Sequence, residues 1–301
     1  MRIFPITPRR YVWYATILAQ SLNQRFTPFT PLRKETNSCV IGNGIPKSGT
    51  YLINSILDYL GKWENIGVHI HPGRWDNKSS SGDPLGHRCL AQFSVQKLRN
   101  GQMVAAHLEW SKGLEKSIAH VTGIRRVKHV LIYRDPRDTM VSYMNFVAYP
   151  ERYAGDRQLT PEAQRLREQS DDDQRLTCVI QSRLGYYLAS SRRYNRYLDY
   201  APWLNSPNCF AVKFEELYPE VVDLKNKVLG NTLRNLINYL EIDDVSIDLV
   251  DFYDKVYGKS STASSEEDKV GQYKRVFNSQ HYDLLDNPDF RNLLHTFGYE
   301  W

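Results

Sequence analysis

Short apolar runs alternate with longer amphipathic segments along most of the chain. Apolar runs of strand length lie near four residues, Cys39, Val104, Val130 and Phe210. Apolar positions recur with helical spacing in four segments, 51–60, 136–146, 177–200 and 224–240. Alternation of strands and helices is typical of parallel sheets with helical crossovers. The pattern therefore predicts an α/β fold with a central parallel sheet flanked by helices.

One domain accounts for the length of the chain. A chain of 301 residues with 41% hydrophobic residues can bury a substantial core, and no repeat or interior linker divides it. We expect residues 1–36 to form an N-terminal extension packed on a single 1–301 domain, because the apolar run after Arg10 is too short to span a bilayer. Two polar segments, 149–175 and 258–270, are predicted to be flexible loops.

The first candidate site is the glycine-rich segment 42–50, which joins a predicted strand to a predicted helix. The amide groups at a helix start have no intrahelical partners and attract anions, and Lys47 adds a full charge. The turn therefore predicts a phosphate or sulfate site. Its glycines have the spacing of the nucleotide-binding P-loop, but Thr50 and Tyr51 stand where that loop has Lys and Ser or Thr. An ordinary turn with a solvated lysine is the alternative.

A second turn of similar design begins at Arg134, where another strand-like run ends. Pro136 is suited to the first turn of a helix that carries Ser142. Arginine matches phosphate bidentately, and a hydroxyl about two helical turns farther along is a suitable second donor. The sequence thus predicts a second phosphate site here. An ion pair of Arg134 with Asp135 or Asp138 is the alternative.

The two turns together resemble the cofactor motifs of the sulfotransferase family, which uses 3′-phosphoadenosine 5′-phosphosulfate (PAPS) and releases PAP. The resembling segments are Pro-Lys-Ser-Gly-Thr at 46–50 and Tyr-Arg-Asp-Pro-Arg-Asp at 133–138, in the family's order and separation. In that family the first motif binds the phosphosulfate and the second the 3′-phosphate. The resemblance implies a cofactor site formed by Pro46, Lys47, Ser48, Gly49, Thr50, Tyr51, Arg134 and Ser142.

A catalytic base is expected at the end of the apolar run 102–108. An acceptor hydroxyl or amine must lose a proton as it attacks sulfur, and imidazole titrates near physiological pH. The family has its base at this strand end, so the resemblance assigns that role to His107, with Lys47 as the second catalytic residue. His69 and His71 would share a strand face, but no third metal ligand is evident. We expect a structural or acceptor-side role for them and no metal.

Several positions depart from the family pattern. The lysine that cytosolic animal members carry two residues before the histidine is Ala105 here. Leu52 and Phe214 stand where the family has an adenine-stacking tryptophan and a tyrosine, which predicts an apolar adenine contact. Acidic residues at 266–268 replace an Arg-Lys-Gly loop, so Lys269 is the nearby cation expected to bind the cofactor.

The acceptor is expected to be a small molecule. Trp110 and Tyr143 lie near motif ends and are candidates to line its pocket. The acidic run at 171–173 follows the second motif, and charge complementarity would favour a polar or cationic acceptor. The sequence leaves open the identity of the acceptor, the choice between O- and N-sulfation, and the oligomeric state.

Charge and cysteine content narrow the class of protein. The formal net charge of +5 is scattered, so nucleic acid is not an expected partner. Four widely spaced cysteines suggest reduced thiols in a cytoplasmic protein without stable membrane insertion.

Two other functions remain open, a P-loop kinase that needs Mg²⁺ and a nucleotide-binding relative without activity.

Overall fold

A five-stranded sheet organises the computed structural model, which describes residues 38–70, 95, 98–124, 126–149, 161–188, 197–242, 247–257 and 269–301. The strands are β1 (Ser38–Gly44), β2 (Glu64–Ile70), β3 (Gln102–Ala106), β4 (Arg126–Tyr133) and β5 (Cys209–Lys213). They lie in the order β2-β3-β1-β4-β5, and every pairing is parallel. The predicted α/β fold is confirmed.

Helices flank the sheet. Those before β5 are α1 (Thr50–Tyr59), α2 (Lys112–Ile124), α3 (Pro136–Ala148), α4 (Pro161–Arg167) and α5 (Asp172–Leu188). Those after it are α6 (Phe214–Asp223), α7 (Asn231–Tyr239), α8 (Leu249–Val256), α9 (Tyr273–Val276), α10 (Ser279–Leu285) and α11 (Pro288–Thr296). Among the described residues, Tyr197–Asn205 and Leu224–Asn226 form 3₁₀ helices.

Both faces of the sheet are buried. Successive residues of a strand point to opposite faces, so Cys39 and Ile41 of β1 join one apolar cluster and Val40 joins another. Helices α2, α3, α5 and α11 contribute to the first cluster, and α1, α6, α7 and α8 contribute to the second. This two-sided cover explains why the strands read as continuous apolar runs.

The predicted limits of two helices are wrong. The helix predicted at 177–200 begins earlier, at Asp172, because the Asp171 carboxylate accepts a hydrogen bond from the Gln174 amide at 2.8 Å. The helix predicted at 224–240 is interrupted, because Lys227 adopts a left-handed φ of 62°. Helix α7 then starts at Asn231, where the Glu220 carboxylate accepts from the amides that begin the helix.

The predicted loop 149–175 is partly helical, since α4 and the start of α5 lie within it. The remaining residues 150–160, the N-terminal extension 1–36 and most of the segment 258–270 lie outside the described residues. One compact unit spans Thr36–Trp301. No helix within the described ranges has the length and apolar character needed to cross a membrane. The described cysteines, Cys39, Cys178 and Cys209, are free thiols.

The candidate residues follow the carboxyl ends of the strands, which meet at one edge of a parallel sheet. Ligands of open α/β sheets bind at this edge. The glycine-rich turn follows β1, His107 follows β3, Arg134 follows β4 and Phe214 follows β5. In the sheet, β1 lies between β3, which precedes His107, and β4, which precedes Arg134.

Two polar side chains interrupt one apolar face of the sheet. Asn43 on β1 and His129 on β4 are fully buried, and Asn43 Nδ2 donates to His129 Nε2 at 3.1 Å. Nε2 therefore accepts, and the hydrogen of the neutral imidazole lies on Nδ1, which has no hydrogen-bond partner in the described structure. Burial lowers the pKa of His129 to about 3, so the ring stays neutral.

We expect acid to destabilise the fold through His129. In the unfolded chain the imidazole titrates near pH ~6.5. The folded protein resists protonation down to about pH 3, so between these values the unfolded state binds more protons and stability falls as pH falls. Urea unfolding at about pH 7.5 and 5.5 should show that His129→Gln loses about 1.4 kcal/mol less than the wild type. Equal losses in the two proteins would contradict this prediction.

Candidate active site

The turn after β1 has a fixed and strained backbone. The Ile45 amide donates to the Ile132 carbonyl at 3.1 Å, and the Ser48 amide donates to the Ile45 carbonyl at 3.0 Å. Lys47 adopts a left-handed φ of 70°, which costs roughly 1 kcal/mol or more for a residue other than glycine. No side chain caps the helix that starts after Gly49. This backbone leaves the first turn of α1 suited to an anion.

Two glycines of the turn have no room for a side chain. A Cβ on Gly44 would lie 2.3 Å from Thr50 Oγ1, and a Cβ on Gly49 would lie 2.6 Å from Phe214 Cδ2. Gly49 also has a φ of 95°, which favours glycine. The turn therefore packs directly on the residue that follows β5.

Three buried donor groups at the two turns have no hydrogen-bond partner among the described residues. They are Ser48 Oγ and Thr50 Oγ1 at the first turn and Arg134 Nε at the second. A buried polar group without a partner costs about 1–3 kcal/mol. An anion with several oxygens would satisfy all three groups, so the residues present fit a ligand with two anionic ends.

The Arg134 guanidinium donates hydrogen bonds within the protein through Nη2, and its Nε–H remains for a ligand. Its Nη2 donates to Asp138 Oδ2 at 3.3 Å and to the Lys269 carbonyl, and its guanidinium lies 4.5 Å from the centre of the Phe214 ring. Of the two alternative ion pairs, the one with Asp138 forms and the one with Asp135 does not. Asp135 instead caps α3 and accepts two hydrogen bonds from the Arg137 side chain.

Asp138 connects the second turn to the C-terminal part of the chain. Its carboxylate accepts from the amides of Gly271 at 2.8 Å and Tyr273 at 2.9 Å, besides its contact with Arg134. Burial raises the pKa of Asp138, although Arg134 and the two amides act in the opposite direction. These bonds bring the backbone carbonyl of buried Lys269 to Arg134, and the binding of an anion by the Lys269 side chain stays a prediction.

One stripe of α3 runs from the second turn to the first. Residues four apart lie on one face of a helix, so Asp138, Ser142 and Phe146 form this stripe. Asp138 contacts Arg134, and the Phe146 ring lies 3.8 Å from Lys47 Nζ. Ser142 therefore lies between the two predicted anion sites. The sequence reasoning missed Phe146, although its spacing of four from Ser142 was a usable signal.

His107 is bonded directly to the glycine-rich turn. Its Nδ1 lies 2.5 Å from the Gly44 carbonyl, and its amide donates to the Ile70 carbonyl at 2.9 Å. Because a carbonyl oxygen only accepts, Nδ1 must donate, and the lone pair of the neutral ring is then on Nε2. The His69 ring lies beside it, with centroids 4.5 Å apart. His71 lies outside the described residues.

The remaining cofactor candidates differ in exposure. Phe214 and Leu52 are buried, and Phe214 stacks on Tyr218 with ring centroids 5.0 Å apart. Pro46 is half-buried, whereas Tyr51 is 60% exposed on the first turn of α1. Within the described ranges, no group of three or more His, Cys, Asp or Glu side chains is arranged to hold a metal.

The acceptor-side candidates have contacts within the protein. The Trp110 indole donates to Glu115 Oε2 at 3.0 Å, and Tyr143 is buried in the first apolar cluster. In the acidic run, Asp171 caps α5, Asp172 pairs with Arg175 at 2.7 Å and Asp173 accepts from Asn278 at 2.6 Å. These contacts account for the run as the start of a helix. Selection of a cationic acceptor stays a prediction.

Two solved structures resemble the fold at low sequence identity. The crystal structure of mouse sulfotransferase SULT7A1 complexed with PAP has a TM-score of 0.50 at 14% identity, covering 86% of this chain and 89% of that chain. Retinol dehydratase in a complex with retinol and PAP has a TM-score of 0.49 at 12% identity, covering 89% of this chain and 83% of that chain. No curated protein sequence matches the chain.

A match to a family model identifies the family. Residues 39–229 match the model of the sulfotransferase domain. This segment includes the glycine-rich turn, His107, Arg134, Ser142 and Phe214. Because the match covers more than half of the residues, the chain belongs to the sulfotransferase domain family.

Proposed function

We propose that this protein transfers a sulfuryl group from PAPS to a hydroxyl or amine of a small-molecule acceptor, with His107 as the base. Family membership supplies the class of reaction. The observation that carries the proposal is the placement of the unsatisfied donors, Ser48 and Thr50 at one turn and Arg134 at the other. PAPS has an anionic group for each turn. The structurally similar mouse sulfotransferase was crystallised with PAP.

The residues divide between the two ends of the proposed cosubstrate. When bound, PAPS supplies the sulfuryl group and a phosphate leaving group. The 5′ end would be held by the first turn, formed by Pro46, Lys47, Ser48, Gly49, Thr50 and Tyr51. The 3′-phosphate would be held by Arg134, Ser142 and Lys269. Phe214 contacts both turns and is the proposed apolar contact for adenine.

His107 has the tautomer that a general base needs. Its Nδ1–H is bonded to the Gly44 carbonyl, so Nε2 holds the lone pair that would take the proton of the acceptor. The same bond fixes the ring against the turn that would bind the phosphosulfate. A positioned base typically contributes about 10²–10⁴-fold to the rate.

Lys47 would stabilise the charge that develops on the leaving phosphate. Its ammonium lies over the Phe146 ring, which favours a cation at the cleft edge of α3. Because Ala105 provides no second cation here, we propose that Lys47 is the main lysine in this role. A kinase would need its lysine at the helix start, and the family match also favours sulfuryl over phosphoryl transfer.

The catalytic assignment predicts a separation of binding from turnover. His107→Ala should lower kcat by about 10²-fold or more, because the variant lacks the imidazole that would take the proton of the acceptor. Its dissociation constant for PAP should stay within about 3-fold of the wild-type value, since Nε2 acts on the acceptor. Transfer from labelled PAPS and calorimetry with PAP measure the two quantities. His295→Ala, on the exposed side of α11, is the matched control.

A wild-type rate in His107→Ala would show that the base is wrongly assigned. PAP binding by the wild type without transfer to any acceptor in a broad screen would favour the inactive nucleotide-binding alternative. Transfer that requires added Mg²⁺ would favour a kinase-like reaction.

The unsatisfied hydroxyls predict a loss of affinity without a loss of stability. Ser48→Ala and Thr50→Val remove buried groups that lack partners, so the unliganded proteins should unfold at the same temperature as the wild type or higher. Each should bind PAP about 10-fold more weakly, because a hydrogen bond to a charged group is worth roughly 1.5–3 kcal/mol. Thermal unfolding with and without PAP measures both effects.

Thr177→Val provides the opposite control. Thr177 Oγ1 is hydrogen-bonded to His281 Nε2 at 3.1 Å, away from the two turns. This variant should lose stability and keep its affinity for PAP. Unchanged PAP affinity in both Ser48→Ala and Thr50→Val would contradict the assignment of the first turn.

A further inference from the structure

The backbones of β1 and β3 separate just before the catalytic histidine. Their last aligned pair is Asn43 with Ala106. After Gly44 the β1 backbone turns toward β4, since the Ile45 amide donates to Ile132. The backbone groups of Leu108, which follow His107, therefore need other partners.

The Asn43 side chain provides both of these partners. Its Oδ1 accepts from the Leu108 amide at 2.6 Å, and its Nδ2 donates to the Leu108 carbonyl at 2.9 Å. A carboxamide has the donor and the acceptor of a peptide group, so it extends the β1–β3 pairing after the backbones have parted. The two backbone groups also fix which end of the amide is oxygen.

A buried shell supports this clamp from β4 and from the segment before β5. His129 Nε2 accepts from Asn43 Nδ2, and the Trp203 indole donates to the Leu108 carbonyl at 3.0 Å. Trp203 also packs edge-on against the His129 ring, with centroids 4.5 Å apart. All four residues are buried, so water does not compete for these bonds.

The shell includes a group that is unfavourable for stability alone. His129 Nδ1 is a buried donor with no partner in the described structure. An apolar side chain at this position would remove that donor and match the apolar row around it on β4, but it would leave one N–H of the Asn43 amide unpaired. Within the part of the chain that the structure describes, the hydrogen bond of the imidazole is to the Asn43 amide alone. This points to a role of the bond in orienting Asn43.

We propose that Asn43 is the positioning residue of the catalytic base. By holding both backbone groups of Leu108, it sets the path of the chain after His107 and keeps Nδ1 in reach of the Gly44 carbonyl. The inference rests on the proposed function, because it assigns Asn43 a role through His107. Asn43 is fully buried, so it would act through His107 and not on the acceptor or the cosubstrate directly.

Kinetics of Asn43→Ala test this role. Misplacement of a reacting group by about 1 Å can cost about 10²-fold, so kcat should fall by that order while the acceptor KM and PAP affinity change less than about 3-fold. The same substitution in a His107→Ala background should lower the residual rate less than about 3-fold, because residues that act as one unit are not additive. A structural role alone would reduce both backgrounds equally.

A second variant separates positioning from stability. His129→Leu exchanges one unsatisfied buried donor for another, since it removes the Nδ1–H and leaves one N–H of the Asn43 amide without its acceptor, so its free energy of unfolding should stay within about 1 kcal/mol of the wild-type value while kcat still falls by about 10-fold. Trp203→Phe keeps both bonds between Asn43 and Leu108 but removes the indole bond to the Leu108 carbonyl, so its effect on kcat should be smaller than that of Asn43→Ala. If Asn43→Ala does not fold, His129→Leu decides the question.

A measurement without turnover distinguishes this inference from the proposed function. Nitrogen NMR of the His107 ring should report hydrogen on Nδ1 in the wild type and a mixture of tautomers in Asn43→Ala. A wild type without sulfuryl transfer would overturn the proposed function, and the NMR result would still test the clamp. Wild-type kcat in Asn43→Ala, an additive loss in the His107→Ala background, or an unchanged tautomer would overturn the inference.

Discussion

The hydrogen bond from His107 to the Gly44 carbonyl joins the two halves of the site. It connects the residue after β3 to the last residue of β1, and it selects the ring nitrogen that can take a proton. Such a bond requires these strands to be neighbours with their carboxyl ends together, which the parallel order β3-β1-β4 provides. It also requires a turn with no side chain at Gly44, where a Cβ would strike Thr50. The order of the strands, the geometry of the turn and the tautomer of the proposed base therefore depend on one another.

The second proposed anion site depends on the same central strand from its other side. Arg134 follows β4, and two links connect it to the first turn, Phe214 under both turns and the stripe of α3 that ends at Phe146. These links cross from one strand end to the next, so the distance between the two anion sites is set by packing within the sheet layer. A ligand with two anionic ends would meet donors that the packing already holds apart at a fixed distance. This reduces the free energy spent on ordering side chains when the ligand binds.

Local patterns predicted the parts of the site that are local in sequence. A strand, a glycine turn and a helix start can be read from adjacent residues, and so could the roles proposed for Lys47 and Arg134. Contacts between distant segments could not be predicted this way, because they depend on packing: Phe146 over Lys47, and Asp138 with the amide of Gly271. The break before α7 was missed for the same reason, since its cap comes from Glu220 in the preceding helix.

Several groups that destabilise the fold lie at the edge of the sheet where the candidate site lies. Lys47 has a left-handed backbone, while Ser48, Thr50 and Arg134 bury donors that have no partner in the described structure. A chain selected for stability alone would replace these groups, as the apolar strands below them show. A bound anion would satisfy these donors, so anion binding would stabilise the folded protein through the same side chains. His129 differs, because its unsatisfied Nδ1 faces no proposed ligand and, among the described residues, the hydrogen bond of its imidazole is to Asn43 alone. Its cost is therefore explained by the position of the base and not by affinity for the cosubstrate.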